Sequence, residues 1–244
     1  MSELITAEIR KLRTTRTIYG LLAGAVALVA FAVIGTVNDT SVAELTGPLH
    51  TRVFMNVLGF VLPVFLLSLG IRAFTEDFRY STIVPTLLGN PRRRRVLLAK
   101  LAVMSGAAVV FVAATGAMAV GLGTILATIK GASITVAVVP LAATFGTLLG
   151  VAVLWGGIGL GVGLIVKHPV AAAVGALIWL FVGEQLVGAV VTDVAKFLPA
   201  HAANGVFVRG QELLAPRAAG LVLTAWAVVA LVAGAVVMER RDVA

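Results

Sequence analysis

Apolar runs about as long as a bilayer is thick recur along this chain, and they leave room for little except membrane-spanning helices. A transmembrane helix needs roughly 20 apolar residues. Such runs lie at residues 18–37, 53–71, 101–129, within 134–166, 170–191 and 218–237. The reading is an all-α polytopic membrane protein, with six transmembrane helices in one transmembrane domain over 1–244. Only 12% of the residues are charged, against about 25% in a typical soluble domain, which excludes a soluble domain hung on a single anchor. There is no Cys, so disulfides and thiol chemistry are excluded. The first apolar run is longer than an ordinary signal core and is followed by no small-residue cleavage pattern. It reads as a span.

The largest charged interruption, residues 72–100, is RAFTEDFRYSTIVPTLLGNPRRRRVLLAK. Flanked by apolar runs, it reads as a loop between spans two and three. Its basic excess places it on the cytoplasmic side, where Lys and Arg are retained during insertion. With that loop inside, both termini are inside too: 14 of the 19 Lys and Arg residues fall on the inner side and 5 on the outer. The net charge of +8 therefore reports topology in a cell membrane, not nucleic-acid binding. Within the loop, Gly89-Asn90-Pro91 combines a helix stop with a helix start. Residues 82–88 before it suit a short helix lying across the membrane surface. The run Arg92, Arg93, Arg94, Arg95 with Lys100 suits an anchor to anionic headgroups, and a solvated basic linker has the same composition.

Residues 1–17 put Ile5, Ile9 and Leu12 on one helical face, with Glu8, Arg10, Lys11 and Arg13 largely off it. That pattern fits an amphipathic interfacial helix and equally a positive flank orienting span one. Pro63 falls inside span two, where a kink is tolerated. Pro140 divides the long fourth run into an interfacial lead and the span proper. Lys130-Gly131 reads as an outer turn and Lys167-His168-Pro169 as an inner one. Span four carries Gly146 with Gly150, Gly157 with Gly161, and Gly159 with Gly163, each pair at i, i+4, a spacing that lets helix backbones approach closely. Residues 192–217 are long for an outer loop yet substantially apolar. They read as one or two short helices dipping back into the outer leaflet, broken near Pro199 and Asn204-Gly205, or packed on the outer face.

One acidic residue lies clearly inside a span: Glu184, followed by Gln185. Buried ionisable groups are costly, so Glu184 is a candidate for the substrate pathway, unless it reaches the interface or bonds to a neighbouring helix. His50, His168 and His201 all read as loop or turn residues. No Ser-His pair, intramembrane Asp pair, metal-ligand cluster or phosphate-cradling glycine motif is present, so no catalytic residue and no metal site is assigned. One intramembrane Glu gives thin support to an ion-coupled secondary transporter. A membrane assembly or immunity protein without transport is the other alternative.

The order of these features resembles a permease subunit of the ABC type-2 export class, the type V exporter fold. AEIRKLRTTRT resembles the connecting helix ahead of span one. TEDFRYSTIVPTLLGNPRRRRVLLAK resembles the loop bearing the coupling helix. KFLPAHAANGVF resembles the re-entrant segment before span six, and MERRDVA the usual Arg-Asp ending. The resemblance departs at Ser81, where the family commonly has Gly. It implies a homo- or heterodimer with a second permease chain, lipid contacts, and two copies of a separate ATP-binding protein holding ATP and Mg²⁺, with no cofactor in this chain. Glu76, Asp77, Arg79, Ser81, Thr82, Ile83, Val84, Pro85, Leu87 and Leu88 would then form the docking surface for the ATPase. An apolar pathway would favour a hydrophobic or amphipathic substrate such as a drug, lipid or peptide.

Overall fold

A backbone in hydrocarbon must satisfy its own hydrogen bonds, so long apolar runs resolve into helices. The computed structural model describes residues 2–45, 49–82, 93–132, 138–207 and 213–240. Among them are α1 (Ser2–Thr14), α2 (Arg16–Asp39), α3 (Val42–Leu45), α4 (Leu49–Arg79), α5 (Arg93–Ile129) and α6 (Val138–Val166). There follow α7 (Pro169–Ile178), a π-helical turn (Trp179–Gly183), α8 (Glu184–Val190), α9 (Thr192–Ala195), α10 (Pro199–Phe207) and α11 (Pro216–Arg240). No strand occurs among the described residues. Six helical stretches are long and apolar enough to cross a membrane: Arg16–Asp39, Val57–Arg79, Arg93–Ile129, Leu141–Val166, Pro169–Val190 and Pro216–Arg240.

The spans alternate in direction. One end of the bundle, here the proximal end, gathers α1, the connection between spans two and three, the turn at Lys167 and the end of α11. The distal end gathers the other three connections. Spans two and four are the most buried and form the centre, while spans one, five and six lie outside them. Glycine makes that centre possible. Gly159 and Gly163 of α6 lie against the α4 backbone at Leu67 and Ile71, and Gly70 of α4 meets Gly156 and Leu160. A Cβ at any of these three would run into a carbonyl oxygen of the facing helix. Gly161 faces the other way, against Ala230 of α11. The pair Gly146 and Gly150 is different: a Cβ added at either would meet nothing within 4 Å among the described residues. Large apolar side chains fill the space around this seam, including Leu58, Leu62, Leu66, Phe74, Phe111, Leu160 and Leu223, all fully buried.

Several boundaries differ from the sequence expectation. The charged stretch 72–100 is not all loop, because α4 runs on to Arg79 and α5 begins at Arg93. Leaving the apolar core does not end a helix when charged side chains support it. Arg72 donates to Glu76 one turn on, at 2.8 Å. Pro140 sits in the first turn of α6, where a missing N–H costs no hydrogen bond, and the apolar span starts at Leu141; residues 133–137 of the expected lead lie outside the described residues. Asn204 and Gly205 break nothing. They lie inside α10, and the chain breaks before it, at residues 196–198. His50 and His201 are helical residues, not loop residues.

The N-terminal helix forms, but its inward face is shifted. Ile5 and Leu12 are half-buried, Ile9 is exposed, and Glu8 and Lys11 turn inwards. An apolar stripe predicts the buried face only while no buried partner attracts a charge, and here one does. The two tight turns form as expected. Gly131 takes φ +85°, Lys130 donates to the terminal carbonyls of α2 at Val37 and Asn38, and His168 Nδ1 accepts from Ala171 N at 3.3 Å ahead of Pro169.

Candidate functional site

The proximal end holds a buried network of four charges from three elements. Lys100 Nζ lies 2.6 Å from Glu8 Oε2, 2.7 Å from Asp77 Oδ2 and 2.8 Å from the Ala73 carbonyl oxygen, above the ring of Phe74. Lys11 Nζ closes the other side, 3.0 Å from Glu8 Oε1 and 3.2 Å from Asp77 Oδ1. Two lysines thus face two carboxylates, and the charges balance. Each group sits where its element forces it. Lys100 is about two turns inside the long α5, Asp77 is in the last turn of α4, and Glu8 is on the inward face of α1. Burial pulls the pKa of Lys11 down, yet the carboxylates of Asp77 and Glu8 outweigh it and raise the pKa above the ordinary lysine value.

Asp77 also fixes the exit from α4. Thr82 Oγ1 donates to Asp77 Oδ1 at 2.8 Å. Thr82 N donates to the Asp77 carbonyl at 3.0 Å and Ser81 N to the Phe78 carbonyl at 3.3 Å. This pair of bonds is a Schellman cap, whose turning residue takes positive φ. Ser81 does so, at +54°. The departure from Gly at this position therefore falls where glycine is conformationally cheapest.

The residues assigned from sequence to ATPase docking divide accordingly. Asp77 is buried in the network, Glu76 pairs with Arg72, Thr82 holds the cap, and Arg79 and Ser81 are exposed. Ile83, Val84, Pro85, Leu87, Leu88 and Arg92 lie outside the described residues. The basic anchor divides as well. Arg93 donates to the Met238 and Glu239 carbonyls at the end of α11, and Arg94 Nε donates to Glu239 Oε1 at 2.9 Å. Arg95 is exposed, and Lys100 is the buried cation at the centre of the network.

The distal end holds a third buried carboxylate. The π-helical turn Trp179–Gly183 ends directly before Glu184, which is fully buried. Such turns recur at functional positions because they re-aim the following side chains. Glu184 Oε2 accepts from Ala200 N at 2.8 Å and lies 3.5 Å from His201 Nδ1, both in α10. Of the readings open from sequence, bonding to a neighbouring helix is the one realised. Gln185 beside it is exposed.

Helix α10 is held well inside the bundle. Ala202 and Ala203 are buried, Phe207 stacks over Gly59 of α4, and Trp226 Nε1 donates to the Phe197 carbonyl at 2.8 Å. Trp226 is ten residues into α11, about 15 Å from its start at the usual helical rise. Residues 197–207 therefore return alongside the spans instead of capping their ends.

Sequence reasoning missed Glu8, Lys11 and His201 as site residues. Nothing in spacing links Glu8 to Lys100 across 92 positions. A lone cation set in the apolar stretch that follows the arginine run, as Lys100 is, was the one available signal.

No curated protein matches this sequence. The model of a family described as ABC-2 family transporter protein matches residues 4–195, which include α1, the proximal network, the first five spans and Glu184. With that match over most of its length, the chain belongs to the ABC-2 transporter family.

Proposed function

We propose that this chain is the membrane-spanning half of an ATP-driven exporter. It would work as a pair of permease chains with two separate ATP-binding subunits, in a cell membrane with both termini cytoplasmic. ATP and Mg²⁺ would be handled in the partner chains. The pathway between the permeases would carry a hydrophobic or amphipathic molecule. Residues 82–88 would dock on the ATPase, with the exposed Arg79 and Ser81 at the approach.

One observation carries the reading: the buried Glu8, Asp77, Lys100 and Lys11 network. It clamps α1, span two and span three together at the end from which residues 83–92 depart. A push on that connection reaches three elements as one rigid unit, and a transmission joint needs that stiffness. Gly-Ser replacement of residues 82–88 tests it. The protein should insert and keep its fold, while transport falls sharply and substrate no longer changes ATP hydrolysis. Normal transport by that variant with its ATPase bound would reduce the connection to a linker.

Glu184 beside His201 is the observation favouring the second reading, a proton-coupled carrier. Transport that persists without any ATPase and follows a proton gradient would select it.

A further inference from the structure

A groove of about 360 Å³ runs between spans three and six at the proximal end. Leu97, Leu98 and Leu101 of α5 form one wall, and Val232, Ala235 and Val236 of α11 form the other. That volume lies within the range of ligand pockets, about 300–1,000 Å³. Side chains close the groove at both ends. At the inner end, Leu101 and Leu231 both lean over Gly157 of α6. At the mouth, Arg93 reaches the last carbonyls of α11, and Arg94 pairs with Glu239. From Arg94 to Leu101 the helix rises about 10 Å, so the groove leads from the charged end of the bundle into its apolar band. Leu98, Val232 and Val236 are exposed along it, so it opens sideways, where lipid lies.

The mouth has a definite charge. Arg93, Arg94, Arg95 and Arg240 stand at this end of the two helices, against one described carboxylate, Glu239. Arg95 and Arg240 are exposed and have no ion-pair partner among the described residues. Basic clusters beside a membrane attract anionic headgroups, and basic pockets between spans hold them. The guanidinium fork also matches phosphate geometry. Taken singly, the groove fits any apolar chain and the arginines fit any anion. Joined, they fit a molecule in which an acyl chain hangs from a phosphate. Glu239 narrows the headgroup, because a carboxylate at the mouth repels a phosphomonoester dianion more than a singly charged phosphodiester.

We propose that this groove is a binding site for one anionic phospholipid, with an acyl chain between α5 and α11 and its phosphodiester on Arg94 and Arg95. The lipid bridges span three to span six at the end from which residues 83–92 depart. The inference goes beyond the exporter reading and stands without it.

Native mass spectrometry of the full-length protein, with any co-purifying subunits, counts bound lipids directly. Phosphatidylglycerol should occupy one site per chain at concentrations at least tenfold below those needed for further copies, and at least tenfold below phosphatidylcholine with the same acyl chains. Phosphatidic acid should fall between them. Glycerophosphoglycerol, the same headgroup without acyl chains, should not bind at a hundredfold higher concentration. R95Q should weaken the first copy about fivefold, the scale of one arginine near an anionic surface. A235F fills the groove and leaves every charge in place, and should weaken it at least tenfold. Leu98 is exposed, so L98Q tests the groove even where A235F fails to fold, and should weaken the first copy about threefold. R217Q, which removes an exposed arginine from the distal end, should leave it unchanged. Equal affinity for phosphatidylcholine, binding of the bare headgroup, a loss in R217Q equal to that in R95Q, or full binding by folded A235F and L98Q would each overturn the site.

Discussion

Both ends of the bundle bury carboxylates, but they complete them differently. At the proximal end, Glu8 and Asp77 are met by Lys11 and Lys100, a threonine hydroxyl and a helix cap. At the distal end, Glu184 has one backbone N–H and a histidine at 3.5 Å, and its Oε1 has no partner among the described residues. A buried ion pair is costly to desolvate, and it persists as a joint because removing one partner costs more still. A buried carboxylate with spare acceptor capacity is a group that can change partners. The first end holds a set of mutually satisfied charges, and the second holds a carboxylate with acceptor capacity to spare.

The largest effect should come from breaking the complete end. Lys100→Met leaves two buried carboxylates with only the half-exposed Lys11 as counter-charge and should cost about 3–5 kcal/mol, seen as a lower melting temperature of the detergent-purified protein. The combination of Lys100→Met with Glu8→Gln and Asp77→Asn removes the uncompensated charge and should recover much of that loss. If the triple variant is no better than the single, the network is not a joint of charges. Next comes the seam between the ends. Gly159→Val places side-chain atoms against the Leu67 carbonyl and should cost about 1–3 kcal/mol or more through overpacking, by the same melt.

At the distal end, Glu184→Gln keeps size and the acceptor for Ala200 N. It should shift stability by less than about 1 kcal/mol while altering transport over a substrate panel. Glu184→Ala leaves that N–H unpaired and should cost about 1–3 kcal/mol. Unchanged transport by the Gln variant would make Glu184 purely structural. A pH series separates the ends again. The pKa of Lys11 is raised in the folded protein, so its contribution is complete below the ordinary lysine value of about 10.4 and is lost as pH rises through the raised one. The extra alkaline loss of stability should vanish in Lys11→Met. The smallest effect is a gain: Ser81→Gly relieves the positive φ in the α4 cap and should stabilise by about 0.5–1 kcal/mol.

The spans themselves were legible because apolar length is dictated by the bilayer, and residue order along the chain conveyed the family pattern. Helix ends were not, because Arg72 to Arg79 look like a loop by polarity and remain helical through local pairing. The inward turn of Glu8 was hidden because a one-helix pattern contains no information about Lys100. The π-helical turn leaves no mark in WLFVG.

The pairing of Glu8 with Lys100 also has a consequence for synthesis. The two residues are 92 positions apart, so Glu8 leaves the ribosome well before its counter-charge exists. At about 5–20 residues per second, that wait lasts roughly 5–20 seconds. Until then Glu8 has only the neighbouring Lys11 as counter-charge, and the buried Lys100 contact that ties α1 to span three is missing. The first helix made is therefore expected to be among the last to dock. Chains arrested after residue 80 should leave α1 open to protease, and chains arrested well past Lys100 should protect it.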